Sequence, residues 1–165
     1  MTRLMKGGFA LALTCVLAQP AQAAFGCWQP KDAAAVTVRD LQSRLMVAAL
    51  RCRAMGYDIL PEYNSFVRTS RGTLQEANGL IKARFAAGYG KAAAQSRYDS
   101  FTTAMANQYG ADQTSREICD DTARTAKEAA AARGDMNRLV AIGEDGGRGP
   151  KLPGGTCSIK LVGRD

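Results

Sequence analysis

The sequence predicts an all-α protein: an antiparallel up-down-up-down bundle of four helices, with a possible short fifth helix and an irregular, disulfide-bonded C-terminal tail. Three observations predict this fold class. Apolar residues recur at three- and four-residue spacings over long stretches. Glycine and proline separate those stretches and dominate the chain from Gly143 onward. No part of the chain has the alternating pattern of a β-rich domain.

The N-terminal segment, residues 1–23, has the organisation of a secretory signal peptide. Arg3 and Lys6 form a basic start, residues 9–18 form an uncharged apolar core, and residues 21–23 form a small-x-small cleavage site. The core has ten residues. Because a membrane-spanning helix needs about 20 apolar residues, we do not expect the segment to be a permanent transmembrane anchor.

We therefore expect cleavage after Ala23, which leaves residues 24–165 as a single helical domain with an irregular tail over 143–165. Twenty basic and fifteen acidic residues remain in that domain, a net charge of +5. This charge is compatible with anionic surfaces but identifies no partner. The expected location is the periplasm or the cell exterior, with no transmembrane segment in the mature chain. Two alternatives stay open, an ordinary N-terminal helix and a lipid anchor on Cys15 or Cys27.

The four cysteines after the signal peptide predict two disulfides. Their spacings of 25, 67 and 38 residues contain no close pair of the kind that zinc sites use. Helix one separates Cys27 from Cys52 by roughly 30 Å, which is too far for a disulfide. In an up-down-up-down bundle the end of helix one lies beside the start of helix four. The expected pairs are therefore Cys52–Cys119 and Cys27–Cys157.

The first two helices are predicted over about 32–54 and about 61–87 from their apolar stripes. Gly72 and Gly79 lie seven residues apart on one side of helix two. They indicate either the close approach of another backbone or a frayed or bent helix. The stripe of helix one comprises Val38, Leu41, Leu45, Ala48, Ala49 and Cys52. The stripe of helix two comprises Tyr63, Phe66, Val67, Ser70, Leu74, Ala77 and Ile81.

Helix three is predicted over about 91–109, after a glycine-rich turn. Helix four opens at Thr114, which forms a capping-box pattern with Glu117. Residues 134–135 are a possible break that would end helix four and cap a short fifth helix through Ile142, and the sequence leaves open whether helix four breaks at Gly134.

The residue inventory excludes several catalytic classes. The chain contains no histidine, which removes the commonest general base and the Ser-His-Asp and Cys-His arrangements. Residues 88–93 match the G-x-G-x-x-A pattern, but a helix precedes them, whereas the dinucleotide motif follows a strand. The sequence therefore predicts no catalytic residue, no metal ligand and no cofactor. It leaves enzymatic activity open and leans against it.

A group of carboxylates lies at the start of helix four, namely Glu117, Asp120 and Asp121. Acidic residues there are typical of a helix N-terminus, which negative charge stabilises. The alternative is a cation site or an acid/base pair, with Glu62 as a further member. An enzyme of that kind requires two of these four carboxylates to face one pocket.

Basic and aromatic side chains form the candidate ligand or partner surface. Its residues are Arg51, Arg53, Arg68, Arg71, Tyr63 and Tyr98. Arg44, Lys82, Arg84 and Tyr109 are further candidates of the same types. The alternative interpretation is that the charges are the solvated faces of amphipathic helices and that the aromatic residues belong to the core. Nucleic acid is not an expected partner of an exported protein.

A resemblance to other proteins rests on five stretches of the mature chain: 45–52 (LMVAALRC), 63–67 (YNSFV), 98–103 (YDSFTT), 107–110 (NQYG) and 152–157 (LPGGTC). Together with the signal peptide, they resemble a group of small exported alphaproteobacterial proteins without an established function. The resemblance covers most of the mature chain and implies no catalytic or binding residues. Some relatives bear the label S-adenosylhomocysteine hydrolase, but that family is large, cytosolic and NAD-dependent, and this chain lacks its motifs.

The sequence thus favours a non-enzymatic binding or interaction protein of the cell envelope, whose partner is an unknown envelope component or protein. One alternative is a carboxylate-based periplasmic enzyme. The other is a structural or stress-related envelope protein without a defined ligand, which requires a well-packed bundle with no sizeable pocket.

Overall fold

The computed structural model describes residues 25–157, and these residues are all-α, with one isolated β-bridge and no strand. The predicted signal peptide, its cleavage site after Ala23 and the tail after Cys157 lie outside the described residues. The helices are α1 (Pro30–Ala54), α2 (Leu60–Thr69), α3 (Arg71–Tyr89), α4 (Lys91–Gly110), α5 (Arg116–Ala131) and α6 (Met136–Asp145). None of the helices between residues 25 and 157 is both long and apolar enough to cross a membrane.

The first helix, α1, is the central element, because it contacts all five other helices. Pro30 begins it, at a position where the missing N–H has no partner inside the helix. The predicted apolar stripe faces the core, and its buried members include Val38, Leu41, Leu45, Ala49 and Cys52. The prediction for helix one is therefore confirmed, with a start two residues earlier than expected.

The predicted second helix over 61–87 is wrong as a single element, because the chain forms two helices that meet at Ser70. This buried residue has φ −110° and ψ 14°, and it follows the last residue of α2 and precedes the first residue of α3. The break lets α2 pack on α5 while α3 packs on α1 and α4. The described chain therefore has six helices where the sequence predicted four or five.

The break at Gly134, which the sequence left open, is present and separates α5 from α6. Gly134 has a φ of 80°, a left-handed conformation that favours glycine. The side chain of Asp135 then accepts a hydrogen bond from the backbone N–H of Arg138 at 3.0 Å and caps α6. This fifth predicted helix continues to Asp145, so the irregular part of the described tail begins at Gly146.

The start of the preceding helix, α5, lies one residue later than the sequence predicted. Ser115, not Thr114, is its N-cap, and the Ser115 hydroxyl accepts a hydrogen bond from the backbone N–H of Ile118 at 3.2 Å. Glu117 lies in the first turn, where its negative charge stabilises the helix. The predicted capping box between Thr114 and Glu117 is therefore wrong. Thr114 and Ser115 are both residue types that can cap a helix, and the chain uses the second of them.

Two disulfides lie at the opposite ends of α1, and they join the pairs that the helix order predicts. The Cα atoms of Cys27 and Cys157 are 4.9 Å apart, and those of Cys52 and Cys119 are 5.8 Å apart. The pair at the end of α1 is fully buried. Each bond closes a loop of 67 or 130 residues. In the chain-entropy model, loops of this length give a stabilisation of about 4–5 kcal/mol each.

Backbone hydrogen bonds also tie the C-terminal tail to the segment before α1. The backbone N–H of Trp28 donates to the carbonyl of Gly155 at 2.8 Å, and the N–H of Cys157 donates to the carbonyl of Trp28 at 2.9 Å. The Trp28 indole N–H donates to the carbonyl of Pro153 at 2.9 Å. The buried Trp28 ring and the Cys27–Cys157 disulfide therefore hold the described tail in one place.

The helices α1 and α6 approach each other closely at Gly143. A methyl group at this position would lie 2.7 Å from the Thr37 side chain and 3.2 Å from the Thr37 carbonyl oxygen. At Gly72 and Gly79 a methyl group would meet no atom within 4 Å. The interpretation of Gly72 and Gly79 as a site of close backbone approach is therefore wrong, and the glycine-dependent contact lies at Gly143 instead.

Alanine substitutions at these glycines are expected to have opposite effects on stability. In Gly79→Ala the methyl group is accommodated, so helix propensity should raise the free energy of unfolding by about 0.5–1 kcal/mol. In Gly143→Ala the methyl group forces α1 and α6 apart, so the free energy of unfolding should fall by about 1–2 kcal/mol despite the same gain in propensity. Urea unfolding of the oxidised protein measures both. Equal shifts in the two variants would contradict the packing of α6 on α1.

Candidate functional site

A groove of about 940 Å³ lies between the second half of α1, the α4–α5 connection, α5 and the end of α6. Its volume falls in the range of small-molecule binding sites, about 300–1,000 Å³. Apolar groups line part of it, namely Leu45, Ala48, Cys52 and Ile118. Four guanidinium groups and four carboxylates also line it, and they belong to Arg44, Arg51, Arg124, Arg148, Asp112, Asp121, Glu128 and Asp145.

The wall of the groove on α1 carries two half-buried arginines, Arg44 and Arg51. Because they are seven residues apart, they lie on one face of the helix. Arg51 donates to the backbone carbonyl of Tyr109 at 2.7 Å, and Arg44 donates to that of Ile142 at 3.3 Å. Within residues 25–157 neither arginine forms an ion pair. A guanidinium has five N–H donors, so each keeps donors that these bonds do not use.

The opposite wall, on α5 and α6, contributes most of the carboxylates. Asp121 pairs with Arg124 on the same helix. Glu128 on α5 and Asp145 at the end of α6 also line the groove, and neither is ion-paired within the described part of the chain. The groove thus has unpaired positive charge on the α1 wall and unpaired negative charge on the α5 and α6 wall.

A buried hydrogen-bond network holds the end of the groove where α4 ends. Asp40 is 2% exposed, and its carboxylate accepts hydrogen bonds from the Tyr109 hydroxyl at 2.6 Å and from the Gln108 side chain at 3.0 Å. Burial raises the pKa of Asp40, and the bond from Tyr109 and the charge of Arg44 offset only part of this rise. Burial and the bond to Asp40 likewise raise the pKa of Tyr109. The network positions Tyr109, whose carbonyl anchors Arg51.

The end of the groove nearest the tail is closed by Arg148, which forms an ion pair with Asp112. The guanidinium carbon of Arg148 also lies 6.0 Å from the centre of the Tyr109 ring. Because both members of the ion pair are partly exposed, the pair contributes little to stability. It brings the tail to the α4–α5 connection and completes the rim.

Of the four arginines predicted to form a ligand or partner surface, only Arg51 lines the groove. Arg53, at the end of α1, is exposed and does not line the groove. Arg68 and Arg71 are exposed on either side of the break between α2 and α3. Their positions agree with the alternative interpretation, in which such charges are the solvated faces of helices.

The two predicted aromatic members, Tyr63 and Tyr98, belong to the core and not to the groove. Tyr98 is 8% exposed, and its hydroxyl donates to the side-chain oxygen of Asn78 at 3.0 Å. Tyr63 is half-buried and packs against two apolar clusters of the core, one that includes Leu41 and Phe66 and one that includes Cys52 and Ile59. These positions agree with the alternative interpretation of aromatic residues at helical spacing as core residues.

The four carboxylates considered for catalysis do not come together. Only Asp121 lines the groove, where it pairs with Arg124. Asp120 accepts a hydrogen bond from the Tyr57 hydroxyl, and Glu62 lies 3.7 Å from the ammonium of Lys127. The condition for a carboxylate enzyme, two of the four in one pocket, is therefore not met by these residues.

Sequence reasoning missed most of the groove, because its residues come from distant parts of the chain. Asp112, Glu128, Asp145, Arg124 and Arg148 meet only when α5 and α6 pack on α1. The one local signal was the seven-residue spacing of the two α1 arginines. Residues 25–157 contain no cluster of three or more side chains able to hold a metal ion. Comparisons with protein-family models, curated proteins and solved structures match nothing to this chain.

The buried carboxyl of Asp40 makes stability depend on pH in a defined direction. Its pKa in the folded protein lies above the unfolded value of 3.8. Below 3.8 the carboxyl is protonated in both states. As the pH rises from 3.8 through the folded-state pKa, the unfolded chain ionises first. The free energy of unfolding of the wild type should therefore fall relative to that of Asp40→Asn, by at most about 1.4 kcal/mol per pH unit.

Urea unfolding of the wild type and of Asp40→Asn at several values between about pH 3 and pH 7 measures this difference. Asparagine has the same shape and cannot ionise, so any fixed cost of the lost acceptor leaves the pH dependence unchanged. A difference that stays constant with pH, or a wild type that gains stability relative to Asp40→Asn as the pH rises, would contradict a desolvated Asp40.

Proposed function

We propose that this chain is an exported, disulfide-stabilised binding protein of the cell envelope, and that its groove holds a zwitterionic ligand of the size of a short peptide. The observation that supports this most is the state of Arg44 and Arg51. Both are half-buried, both are anchored by a backbone carbonyl, and neither is ion-paired among the described residues. Guanidinium groups of this kind bind a carboxylate or a phosphate through paired hydrogen bonds.

The other groups of the groove define the rest of the ligand. Glu128 and Asp145 provide acceptors for a cationic group on the wall that faces α1. Leu45, Ala48 and Ile118 provide apolar contacts for a hydrocarbon part. A volume of about 940 Å³ exceeds what a single amino acid needs. A short peptide has all three features, because it carries a terminal carboxylate, an amino group and side chains.

Export is the second part of the proposal. Residues 1–23 have the features of a signal peptide, with expected cleavage after Ala23. Disulfides persist in oxidising compartments such as the periplasm, so the Cys27–Cys157 and Cys52–Cys119 bonds agree with export. The proposal also agrees with the resemblance to small exported alphaproteobacterial proteins.

The groove favours this proposal over the two alternatives from the sequence. A structural envelope protein without a ligand requires a bundle with no sizeable pocket, whereas the groove encloses about 940 Å³. Of the four acidic residues predicted for a carboxylate enzyme, only Asp121 lines the groove, and it pairs with Arg124. The remaining candidate is a binding protein that recognises charge.

Peptide binding by the mature chain tests the proposal. The probes are tetrapeptides with one lysine and a free C-terminal carboxylate, and the matched controls are the same peptides with an amidated C-terminus. We expect calorimetry to detect binding of the free carboxylate form, with at least about tenfold weaker binding after Arg51→Gln or Arg44→Gln, because each removes a charged hydrogen bond. The amidated peptides should bind more weakly by a similar factor.

The matched control variant is Arg53→Gln, which removes the same charge from the same helix outside the groove. Its affinity should stay within about twofold of the wild type. Failure of every peptide to bind, or an equal loss in Arg53→Gln and Arg51→Gln, would contradict the proposed site. Circular dichroism of each variant shows whether the helices are intact.

A further inference from the structure

The segment that forms the turn between α3 and α4 carries several positive charges and no negative charge. The segment 77–98 contains four basic residues and no acidic residue. It comprises the second half of α3, the turn at Gly90 and the start of α4. Because these two helices pack on each other, the basic residues lie at the same end of the pair. We call this surface the cationic tip, and its residues are Lys82, Arg84, Lys91, Arg97 and Tyr89.

The four cations of the tip are unpaired within the described residues, and aromatic rings hold three of them, Lys82, Arg84 and Arg97. No carboxylate forms an ion pair with any of them in the described part of the chain. The Lys82 ammonium lies 4.9 Å from the centre of the Tyr98 ring, and the Arg97 guanidinium lies 4.8 Å from the Tyr89 ring centre. Cation–π contacts of this kind fix the position of a charge without neutralising it.

Arg84 is the most firmly held member of the tip. Its guanidinium lies 4.3 Å from the centre of the Phe25 ring. It also donates hydrogen bonds to the carbonyls of Gly26 and Cys27, the latter at 3.1 Å. Because Cys27 is disulfide-bonded to Cys157, the tip rests on a segment whose position is fixed covalently.

Tyr89 is the exposed aromatic residue of the tip, and it packs on two aromatic residues beneath it. It is 36% exposed, and its ring stacks on Phe25 with 5.0 Å between ring centres and on Phe85 with 6.1 Å. Phe25 in turn lies 5.5 Å from the buried Trp28. Tyrosine, with an apolar ring and a polar hydroxyl, is enriched where a lipid bilayer meets water.

The surface between Lys82 and Lys91 is shallow and is lined mostly by small side chains. Lys82 and Lys91 line the same depression of about 290 Å³, together with Ala83, Ala86 and Ala94. Single-stranded nucleic acid is typically bound in a positively charged groove that follows its backbone. The charges of the tip are instead spread over a shallow face beside an exposed tyrosine, which fits an array of lipid headgroups better. The occupant that fits the tip is therefore an anionic lipid surface.

We infer that the cationic tip docks this protein on a membrane surface that contains anionic phospholipids. Each lysine or arginine near such a surface strengthens binding by about fivefold, and salt weakens the attraction. The tip adjoins the segment before α1, whereas the groove adjoins residues 44–52 of that helix. Membrane docking and ligand binding therefore use opposite ends of α1, and the inference does not depend on the proposed function.

Co-sedimentation with lipid vesicles tests this inference on the mature oxidised protein. The vesicles are phosphatidylcholine with about 30% phosphatidylglycerol, at about 0.1 M salt. We expect binding to these vesicles, little binding to pure phosphatidylcholine, and release at about 0.5 M salt. The double variant Lys82→Gln/Lys91→Gln should bind roughly 25-fold more weakly, since it removes two charges. Its peptide binding in the groove should be unchanged.

The matched control is the double variant Arg68→Gln/Arg71→Gln, which lowers the net charge equally at the far end of α3. Its vesicle binding should stay within about twofold of the wild type. Equal losses in the two double variants would overturn the inference, because net charge and not the tip would then govern binding. Absence of binding to the anionic vesicles, or tighter binding to a single-stranded oligonucleotide than to them, would overturn it as well.

Discussion

Covalent anchoring of the central helix is the constraint on which the rest of this structure depends. The helix α1 contacts all five other helices, and a disulfide lies at each of its ends. Cys27–Cys157 holds the tail against the segment before α1, and Cys52–Cys119 holds the start of α5 against the last turn of α1. In the chain-entropy model the two bonds add to the stability that packing of the core provides.

The groove follows from the same arrangement. The Cys52–Cys119 bond places α5 beside the arginines of α1, and the buried Asp40–Tyr109 hydrogen bond places the end of α4 there as well. The close contact at Gly143 sets α6 against the other side of α1. Each wall of the groove is therefore fixed by a different interaction with one helix. At the far end of α1, the aromatic residues that support the cationic tip pack around Trp28.

The parts of the fold that local patterns determine were predictable, and those that tertiary packing determines were not. The apolar spacing of α1 predicted that helix to within two residues, Gly134 marked the position of a possible break, and helix length alone excluded a Cys27–Cys52 bond. The break at Ser70 was missed because the apolar stripe continues through it, from Phe66 to Leu74. The groove was missed because its charged residues lie on five separate parts of the chain: α1, the α4–α5 connection, α5, α6 and the tail. Of the six residues of the predicted surface only Arg51 lines the groove, together with the further candidates Arg44 and Tyr109. Apolar spacing identifies the exposed face of a helix but not which other element packs beside that face.

Disulfide mapping by mass spectrometry tests the central claim most directly. The protein is isolated from the cells that make it, with thiols blocked at lysis, and digested without reduction. The account predicts a chain that begins at Ala24, two linked peptide pairs that contain Cys27–Cys157 and Cys52–Cys119, and no blocked thiol at these four positions. A chain that retains residues 1–23 and carries all of these cysteines as blocked thiols would contradict it.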